Sequence, residues 1–309
     1  MNILITGSFG FVGTNLSKYL DHRLIAIDIN EMSSHDFDSY HSWNDLDRIK
    51  WDKLHAVVHL AGIAHDTKGR ANESQYFEVN VGLTQKIFEY FLSSSAQKFI
   101  YFSSVKAVAD SVEGKTLTED DLPNPMTPYG RSKLEAETYL LSKELPSDKR
   151  LYIFRPAMIH GPGNKGNLNL LYSVLKSGIP YPLGAYDNKR SFTSIQNLIF
   201  VVQSFLQADI QSGIYNLCDD EPLSTIEIAR LINQSLGYSR KMWNFPKKLI
   251  NGLAKMGDLL HLPFNSERLQ KLTETYVVSN AKLKLALKID SLPVQANKGL
   301  LDTLRSFNI

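Results

Sequence analysis

The sequence of 309 residues predicts an α/β fold in which a doubly wound parallel sheet is accompanied by a smaller, mixed α/β domain. Two observations in the first half support the sheet. Short apolar runs recur there, as in strands that are buried on both faces, and helix-like stretches separate them. In the second half, Gly, Asn and Pro become frequent after residue 160 and the strand-like runs lose their regular spacing. This change predicts the second domain.

The elements can be assigned in order along the chain. Five runs are interpreted as strands: Ile3–Ile5, Leu24–Ile27, Ala56–Leu60, Phe99–Phe102 and Leu151–Phe154. Three stretches between them are interpreted as helices: Phe11–Leu20, Gln75–Leu92 and Pro128–Lys143. Residues 195–206 and 213–217 resemble a further helix and strand. We therefore predict a first domain in residues 1–160, to which residues 190–217 return, and a second domain formed by residues 161–189 and 218–309.

Composition and charge exclude several classes of protein. The 34 Lys and Arg residues against 32 Asp and Glu residues leave a formal charge of +2, too little to suggest nucleic acid as the main partner. A single cysteine, Cys218, excludes an intramolecular disulfide and a Cys-rich metal site, and no metal is predicted. The apolar runs are far shorter than the roughly 18 to 20 residues that span a bilayer. We expect a cytoplasmic protein.

A glycine-rich loop follows the first strand and opens the first helix. Gly7 permits a tight turn, Gly10 lets backbone N–H groups approach a pyrophosphate, and Gly13 allows close packing of helix and strand. By itself the pattern is a weak signal, and a glycine-rich turn without a ligand is the alternative. Asp28 ends the second strand about 20 residues downstream, where a carboxylate would accept the ribose hydroxyls of NAD and repel a 2′-phosphate. An ordinary strand-end turn residue is the alternative for Asp28, but together these residues predict a Rossmann-type NAD site.

Three polar residues form a second candidate site: one follows the fourth predicted strand, and two lie at the start of the third predicted helix. Tyr129 and Lys133 are four residues apart and share one helical face. A phenol has a pKa near ~10, and a neighbouring ammonium is expected to lower it; Lys133 could also hold a ribose. Ser104 lies where ligands gather at the edge of a parallel sheet. A lone Tyr-x-x-x-Lys pattern is usually a solvated helix pair, but the three residues in this order predict a catalytic site.

The chain resembles the extended short-chain dehydrogenase/reductases, specifically the NAD-dependent epimerase/dehydratase group that acts on nucleotide sugars. The resemblance covers almost the whole chain and rests on these segments: residues 6–13, Asp28, residues 59–62, residues 80–84, Ser103–Ser104, residues 129–133, Arg155–Pro156, residues 161–163 and residues 190–192.

The resemblance implies that Tyr129 is the general base, Lys133 its electrostatic partner, and Ser104 the hydroxyl that orients the sugar oxygen. It also implies a homodimer, because the family often pairs through a helix bundle. Expected contacts with NAD are Gly7, Phe9, Gly10, Phe11, Val12, Gly13, Asp28, Leu60, Ala61, Gly62, Asn80, Ser103, Tyr129, Lys133 and Pro156.

The sequence departs from the family pattern at three places. Val105-Lys106 stands where the 4,6-dehydratases carry an Asp-Glu pair, so elimination of water has no obvious proton carrier. Met158 stands where an Asn often touches the substrate. The usual Arg-Asp-Phe is Arg190-Ser191-Phe192, which keeps the cation and loses the acid.

Three residues are predicted to bind the diphosphate of a small sugar substrate. Arg190 can grip phosphate with two hydrogen bonds. Asn167 is expected at a helix N-terminus that faces the same group, and Arg268 is a weaker second cation. Helix capping is the alternative for Asn167, and a solvated surface position is the alternative for Arg268.

These features favour an NAD-dependent sugar epimerase in surface polysaccharide biosynthesis. It would act at C4 of a nucleotide-linked or lipid-diphosphate-linked hexose through a transient 4-keto intermediate. An NAD(P)H-dependent 4-keto-sugar reductase would use the same residues, and the sequence does not separate the two. A non-catalytic NAD-binding interaction protein is a more distant alternative, disfavoured by the intact Ser104, Tyr129 and Lys133.

Residues 246–260 predict a helix with an apolar stripe on one face, formed by Leu249, Ile250, Leu253, Met256 and Leu260. Lysines flank this stripe. The simpler expectation is that the stripe packs inward as part of the core. The alternative is peripheral contact with a membrane, because basic amphipathic helices bind anionic surfaces.

Overall fold

Parallel strands form the centre of the fold in the computed structural model, which describes residues 1–29, 36–64, 72–112, 114–164, 167–178, 181–239, 243–260 and 265–308. The strands in these ranges are β1 (Asn2–Thr6), β2 (Arg23–Asp28), β3 (Ser39–Ser42), β4 (Ala56–His59), β5 (Lys98–Phe102), β6 (Thr116–Leu117), β7 (Arg150–Pro156), β8 (Met158–His160), β9 (Phe192–Ser194), β10 (Gly213–Leu217) and β11 (Val277–Val278).

Seven of these strands build one sheet in the order β3-β2-β1-β4-β5-β7-β10, and all of its pairs are parallel. Strand order reverses between β1 and β4, where Ile3 pairs with Leu24 on one side and with Ala56 on the other. In such a sheet, the carboxyl ends of the strands at the reversal border a crevice that binds ligands. The predicted α/β fold with a doubly wound parallel sheet is confirmed.

Helices cover both faces of the sheet. In the described ranges they are α1 (Phe11–Tyr19), α2 (Glu73–Phe77), α3 (Leu83–Ser93), α4 (Pro128–Ser142), α5 (Asn167–Lys176), α6 (Ile195–Gln207), α7 (Thr225–Ser235), α8 (Lys247–Leu259), α9 (Ser266–Thr273), α10 (Ala281–Leu287) and α11 (Ala296–Arg305). A π-helical turn over Glu78–Gly82 joins α2 to α3, so the predicted helix over residues 75–92 is not one regular α-helix. None of the described helices is both long and apolar enough to cross a membrane.

The core has one layer on each side of the sheet because alternate residues of a strand point to opposite faces. Ile3 and Ile5 pack with α1 and α6 in one apolar cluster. Leu4 packs on the other face with α3 and α4, where Phe88 and Phe91 are fully buried. The near-continuous apolar strands of the sequence are explained by this double burial.

A smaller core lies outside the sheet. Residues of α5, α7, α8, α9 and α11 form it, together with Leu183 and Leu223. Two further sheets have two parallel strands each: β6 pairs with β11, and β8 pairs with β9. β10 pairs with β7, so the chain after residue 190 contributes a strand to the central sheet. The residue limits of the two domains stay a prediction.

Four of the five residues of the predicted apolar stripe on α8 do not pack inward. Ile250 is buried, but Leu249, Leu253, Met256 and Leu260 have exposed fractions of 52%, 43%, 49% and 58%. The inner face of the helix consists of Ile250 with the small residues Ala254 and Gly257. The small side chains of Ala254 and Gly257 let this face of the helix approach the core closely. The expectation that the stripe packs inward as part of the core is therefore wrong.

Candidate active site

The glycine-rich loop at the end of β1 is packed directly against the segment that follows β4. Gly7 has a φ of +67°, a left-handed conformation that favours glycine. A side chain there would also place its Cβ 2.8 Å from the backbone nitrogen of Ala61. A Cβ on Gly13 would lie 2.3 Å from the carbonyl oxygen of Ser8. The loop therefore requires glycine for both backbone conformation and close approach.

The N-terminus of α1 offers backbone donors to an anion. Gly10 is the N-cap residue and has no side chain with which to cap the helix. The first helical N–H groups, those of Phe11, Val12 and Gly13, have no acceptor within the helix because of their position. Together with the helix dipole they suit the pyrophosphate of a dinucleotide. These residues lie where the sequence predicted contacts with NAD.

Asp28 ties the end of β2 to this loop. Its Oδ2 accepts a hydrogen bond from the backbone nitrogen of Phe9 (2.9 Å), and its Oδ1 accepts one from that of Ile29 (2.7 Å). An ionised carboxylate has about four acceptor positions, so each oxygen can still receive a ribose hydroxyl. Asp28 and the loop thus form one continuous wall that fits the adenosine side of NAD.

A buried chain of hydrogen bonds holds the segment after β4. The hydroxyl of Thr84 donates to the carbonyl oxygen of Asn80 (2.7 Å), so it accepts from Nε2 of His59 (2.9 Å). Nδ1 of His59 is then the acceptor for the Thr6 hydroxyl (2.6 Å), and the Thr6 oxygen accepts from the backbone nitrogen of Ala61 (3.2 Å). This chain requires a neutral His59. Burial, assisted by the charge of Lys133, lowers the pKa of His59 from 6.5 to about 3.

Asn80 connects the same segment to α4. Its Oδ1 accepts from the backbone nitrogen of Ile63 (2.8 Å), and its Nδ2 donates to the carbonyl oxygen of Ile63 (3.1 Å) and to Oγ of Ser132 (2.9 Å). A Cβ on Gly62 would lie 2.8 Å from Oδ1 of Asn80 and 3.2 Å from Nζ of Lys133. Gly62 therefore leaves room for these two polar groups to meet at the predicted cofactor site. Leu60, which begins the segment, donates its N–H to the carbonyl oxygen of Thr6 (3.1 Å).

Lys133 is buried on α4 and keeps one strong partner on the sheet. Its ammonium donates to the carbonyl oxygen of Phe102 (2.9 Å). Burial lowers the pKa of Lys133 from 10.5 to about 8, and the negative charge of Glu137 opposes that effect. Lys133 therefore remains mostly charged at neutral pH, as its predicted role requires.

Glu137 and Arg155 form a buried ion pair behind Lys133. Nε of Arg155 donates to Oε1 of Glu137 (3.0 Å), and both side chains are at most 3% exposed. The hydroxyl of Ser103 also donates to Glu137. Sequence reasoning did not select Glu137 or Arg155 as site residues. The spacing of four between Lys133 and Glu137 is a signal that could have indicated at least the first.

Tyr129 and Ser104 meet where β5 ends and α4 begins. Thr127 caps α4 by accepting the N–H of Gly130 (3.2 Å), which places Tyr129 in the first turn. Burial raises the pKa of Tyr129, although its hydrogen bond with Ser104 acts in the opposite direction. The sequence led us to expect a lowered pKa because of Lys133. That expectation is wrong for this structure, since burial outweighs the hydrogen bond with Ser104.

The predicted substrate residues lie on different elements. Arg190 is half-buried; its Nε donates to the carbonyl oxygen of Glu274 (3.0 Å), and burial lowers its pKa. Asn167 begins α5, but its side chain lies outside the described part of the structure. Arg268 is exposed in the first turn of α9, which packs against α8 rather than at the carboxyl edge of the sheet. Pro156 is buried at the end of β7, beside the strand that precedes Ser103.

Comparison with known proteins agrees with this geometry. The sequence profile of the NAD dependent epimerase/dehydratase family matches residues 3–218. The chain belongs to this family. It is an NAD-dependent enzyme of the extended short-chain dehydrogenase/reductase type, and NAD is its cofactor.

Three relatives illustrate the similarity. UDP-glucose 4-epimerase of Vibrio cholerae is 30% identical over 258 residues, covering 79% of this chain and 78% of the relative. N-acetyl-alpha-D-glucosaminyl-diphospho-ditrans,octacis-undecaprenol 4-epimerase of Escherichia coli O157:H7 is 27% identical over 260 residues, covering 80% and 76%. The structure of UDP-glucuronic acid 4-epimerase from Bacillus cereus in complex with NAD has a TM-score of 0.74 at 20% identity and covers 100% of this chain and 99% of its own.

We predict that Tyr129→Phe retains NAD and loses turnover by about a hundredfold to ten-thousandfold, the usual contribution of a general acid–base group. The measurement is the steady-state rate together with NAD content. Tyr139→Phe is the matched control, because Tyr139 lies on the same helix as Tyr129 but its hydroxyl donates to Glu89 of α3 at an exposed position. Activity near that of the wild type in Tyr129→Phe would show that this phenol does not transfer the proton.

We also predict an acid-dependent loss of stability that arises from His59. Its folded pKa of about 3 lies below the unfolded value of 6.5, so only the unfolded state binds the proton as pH falls between them. The free energy of unfolding should decrease by about 1.4 kcal/mol per pH unit from this group. Urea titrations of wild type and His59→Gln at several pH values in this window measure the difference in slope. Equal slopes for wild type and His59→Gln would contradict the assignment.

Proposed function

We propose that the protein inverts the configuration at C4 of a diphosphate-linked hexose in surface polysaccharide biosynthesis. The observation that carries this proposal is the contact of Tyr129 with Ser104 beside the buried ammonium of Lys133. These groups border the crevice whose other wall is the glycine-rich loop. Both sequence relatives described above are named as 4-epimerases, which supports the same reaction here.

The chain's own residues would move one proton and hold the sugar. Bound NAD supplies the hydride acceptor and donor at C4. Tyr129 would accept the proton of the C4 hydroxyl as that carbon is oxidised and would return it as the carbon is reduced. Because burial raises the pKa of Tyr129, its phenolate would need stabilisation during turnover. The hydrogen bond with Ser104 acts in that direction, and the ammonium of Lys133, four residues along α4, would add to it once the phenol ionises. Ser104 donates to the C4 oxygen and orients it.

The diphosphate carrier would bind in the smaller lobe. Arg190 is held by the carbonyl oxygen of Glu274, so its guanidinium is oriented before substrate arrives. Asn167 at the start of α5 would add the N-terminus of that helix. A nucleotide diphosphate and a lipid diphosphate present the same charged group to these residues. Arg268, exposed on α9, would contribute a weaker, more distant attraction.

The geometry after Ser104 disfavours a dehydratase. Val105 is buried, and Nζ of Lys106 donates to the carbonyl oxygen of Asp110 (2.5 Å) while lying 4.3 Å from the centre of the Tyr276 ring. Neither side chain is an acid or base available at the sugar. Elimination of water needs both a proton acceptor and a proton donor near C5 and C6.

We predict that protein purified without added cofactor retains stoichiometric NAD, because an epimerase regenerates NAD in each cycle. Denaturation followed by an enzymatic assay of the supernatant measures it. Nuclear magnetic resonance should then detect the C4-inverted product from UDP-glucose or UDP-N-acetylglucosamine, or from a lipid-diphosphate-linked N-acetylglucosamine, without added NADH. An empty site, with turnover only when NADH and a 4-keto sugar are supplied, would identify a reductase instead.

We further predict that no 4-keto-6-deoxy sugar is released from any nucleotide hexose. The assay is the alkaline absorbance of the keto sugar, confirmed by mass spectrometry for the loss of water. A dehydratase of this family serves as the positive control. Release of such a product would mean that residues other than Val105 and Lys106 supply the acid and the base.

A further inference from the structure

The outer surface of α8 combines exposed apolar side chains with positive charge. We define the α8 stripe as Leu249, Leu253, Met256 and Leu260, whose exposed fractions lie between 43% and 58%. Leu259 beside it is 78% exposed. Scattered exposed leucines are common on proteins, but a contiguous apolar patch of this kind marks an interaction site.

The angular positions on the helix place the stripe beside lysines. Successive residues are about 100° apart, so the four stripe residues lie within roughly 60° of one another. Ile250, Ala254 and Gly257 form the buried face on one side of the stripe. Lys248 and Lys255, both exposed, lie on its other side.

The charge of this surface is positive although the chain is nearly neutral. Residues 243–260 contain three lysines and one acid, Asp258, while the whole chain has a formal charge of only +2. Lys247 lies 5.4 Å from the centre of the Tyr186 ring, and Asp258 accepts a hydrogen bond from the backbone of Ser266 (3.0 Å). The exposed cations that flank the stripe are therefore Lys248 and Lys255.

A tryptophan lies just before the helix. Trp243 is 49% exposed and packs edge-on against Phe245. Tryptophan side chains are enriched at the boundary between lipid and water, because the ring is apolar and its N–H is polar. An apolar stripe, adjacent lysines and an exposed tryptophan together match a helix that lies in the plane of a membrane interface.

We propose that α8 is a docking surface for an anionic lipid bilayer. The α8 stripe enters the interface between headgroups and acyl chains, while Lys248 and Lys255 contact anionic headgroups. Charge complementarity favours an anionic bilayer over an uncharged partner, and a single straight helix face suits a planar surface. Ile250 of this helix and Leu223, whose backbone pairs with Arg190, belong to one core, so docking would bring the lobe that carries Arg190 to the membrane.

Sedimentation with vesicles tests the proposal independently of catalytic activity. Wild-type protein should pellet with vesicles that contain phosphatidylglycerol, and less with vesicles of phosphatidylcholine alone. Higher salt should weaken the binding, because counterions screen the lysines. Lys248→Ala/Lys255→Ala should reduce the affinity, by about fivefold for each lysine.

Two substitutions test the apolar contact. Leu253→Glu and Leu249→Glu should each lower vesicle affinity by about tenfold or more. Leu249 is the third residue of α8, where an acid stabilises the helix dipole, so lost binding there would not reflect a weakened helix. Leu122→Glu is the matched control, because it adds the same charge at a residue that is 91% exposed and outside α8.

Trp243 supplies a second readout. The tryptophan emission of the chain, to which Trp43 and Trp51 also contribute, should shift to shorter wavelength with anionic vesicles in wild type and in Leu122→Glu, but not in Leu249→Glu. The proposal is overturned if wild type stays in the supernatant, or if the two α8 variants bind vesicles as wild type does. It is also overturned if these variants instead abolish self-association in vesicle-free solution, because the stripe would then contact a second copy of the chain.

Discussion

The ammonium group of Lys133 is buried, and much of the active site is arranged around the need to keep it charged there. Its direct acceptor is the carbonyl oxygen of Phe102, and the nearest opposite charge is Glu137 one helical turn away. Glu137 is in turn held by Arg155 and Ser103. These contacts tie α4 to the ends of β5 and β7. Removing one member of a buried ion pair typically costs about 3–5 kcal/mol, because the other charge is left unpaired. The position of α4, and with it that of Tyr129, thus depends on groups outside the pair of Tyr129 and Ser104.

The opposite wall of the crevice is built from neutral groups. Thr6, His59 and Thr84 form a chain in which each hydrogen has one acceptor, and that chain ends on the backbone of Ala61. The positive charge of Lys133 reinforces the neutrality of His59, since it lowers the pKa of that ring. The charged network around Lys133 therefore helps to keep the hydrogen-bonded chain of Thr6, His59 and Thr84 neutral. Asp28 adds a negative charge at the end of β2, and its carboxylate already accepts a hydrogen bond from the backbone of the glycine-rich loop.

Much of this could be predicted from sequence because it depends on local spacing. Each of these signals involves only residues that are close together in one segment of the chain. They are the three glycines after β1, the acid at the end of the second strand, and the Ser, Tyr and Lys pattern. β3 was missed because Ser39–Ser42 is half-buried and has no apolar run. The pKa of Tyr129 was misjudged because it depends on burial by distant parts of the chain. The orientation of α8 was misjudged because helical periodicity does not reveal that Ala254 and Gly257, rather than the leucines, approach the core.

The π-helical turn at Glu78–Gly82 has a consequence for chain length. It contains one more residue than a regular turn would, and Glu73 of α2 forms an exposed ion pair with Arg131 of α4 (2.7 Å). Deleting one residue would restore a continuous α-helix and rotate α2 by about 100° relative to α3. Either that ion pair or the bonds of Asn80 to Ile63 and Ser132 would then be lost. The contacts of Glu73 and of Asn80 therefore fix the number of residues in this stretch.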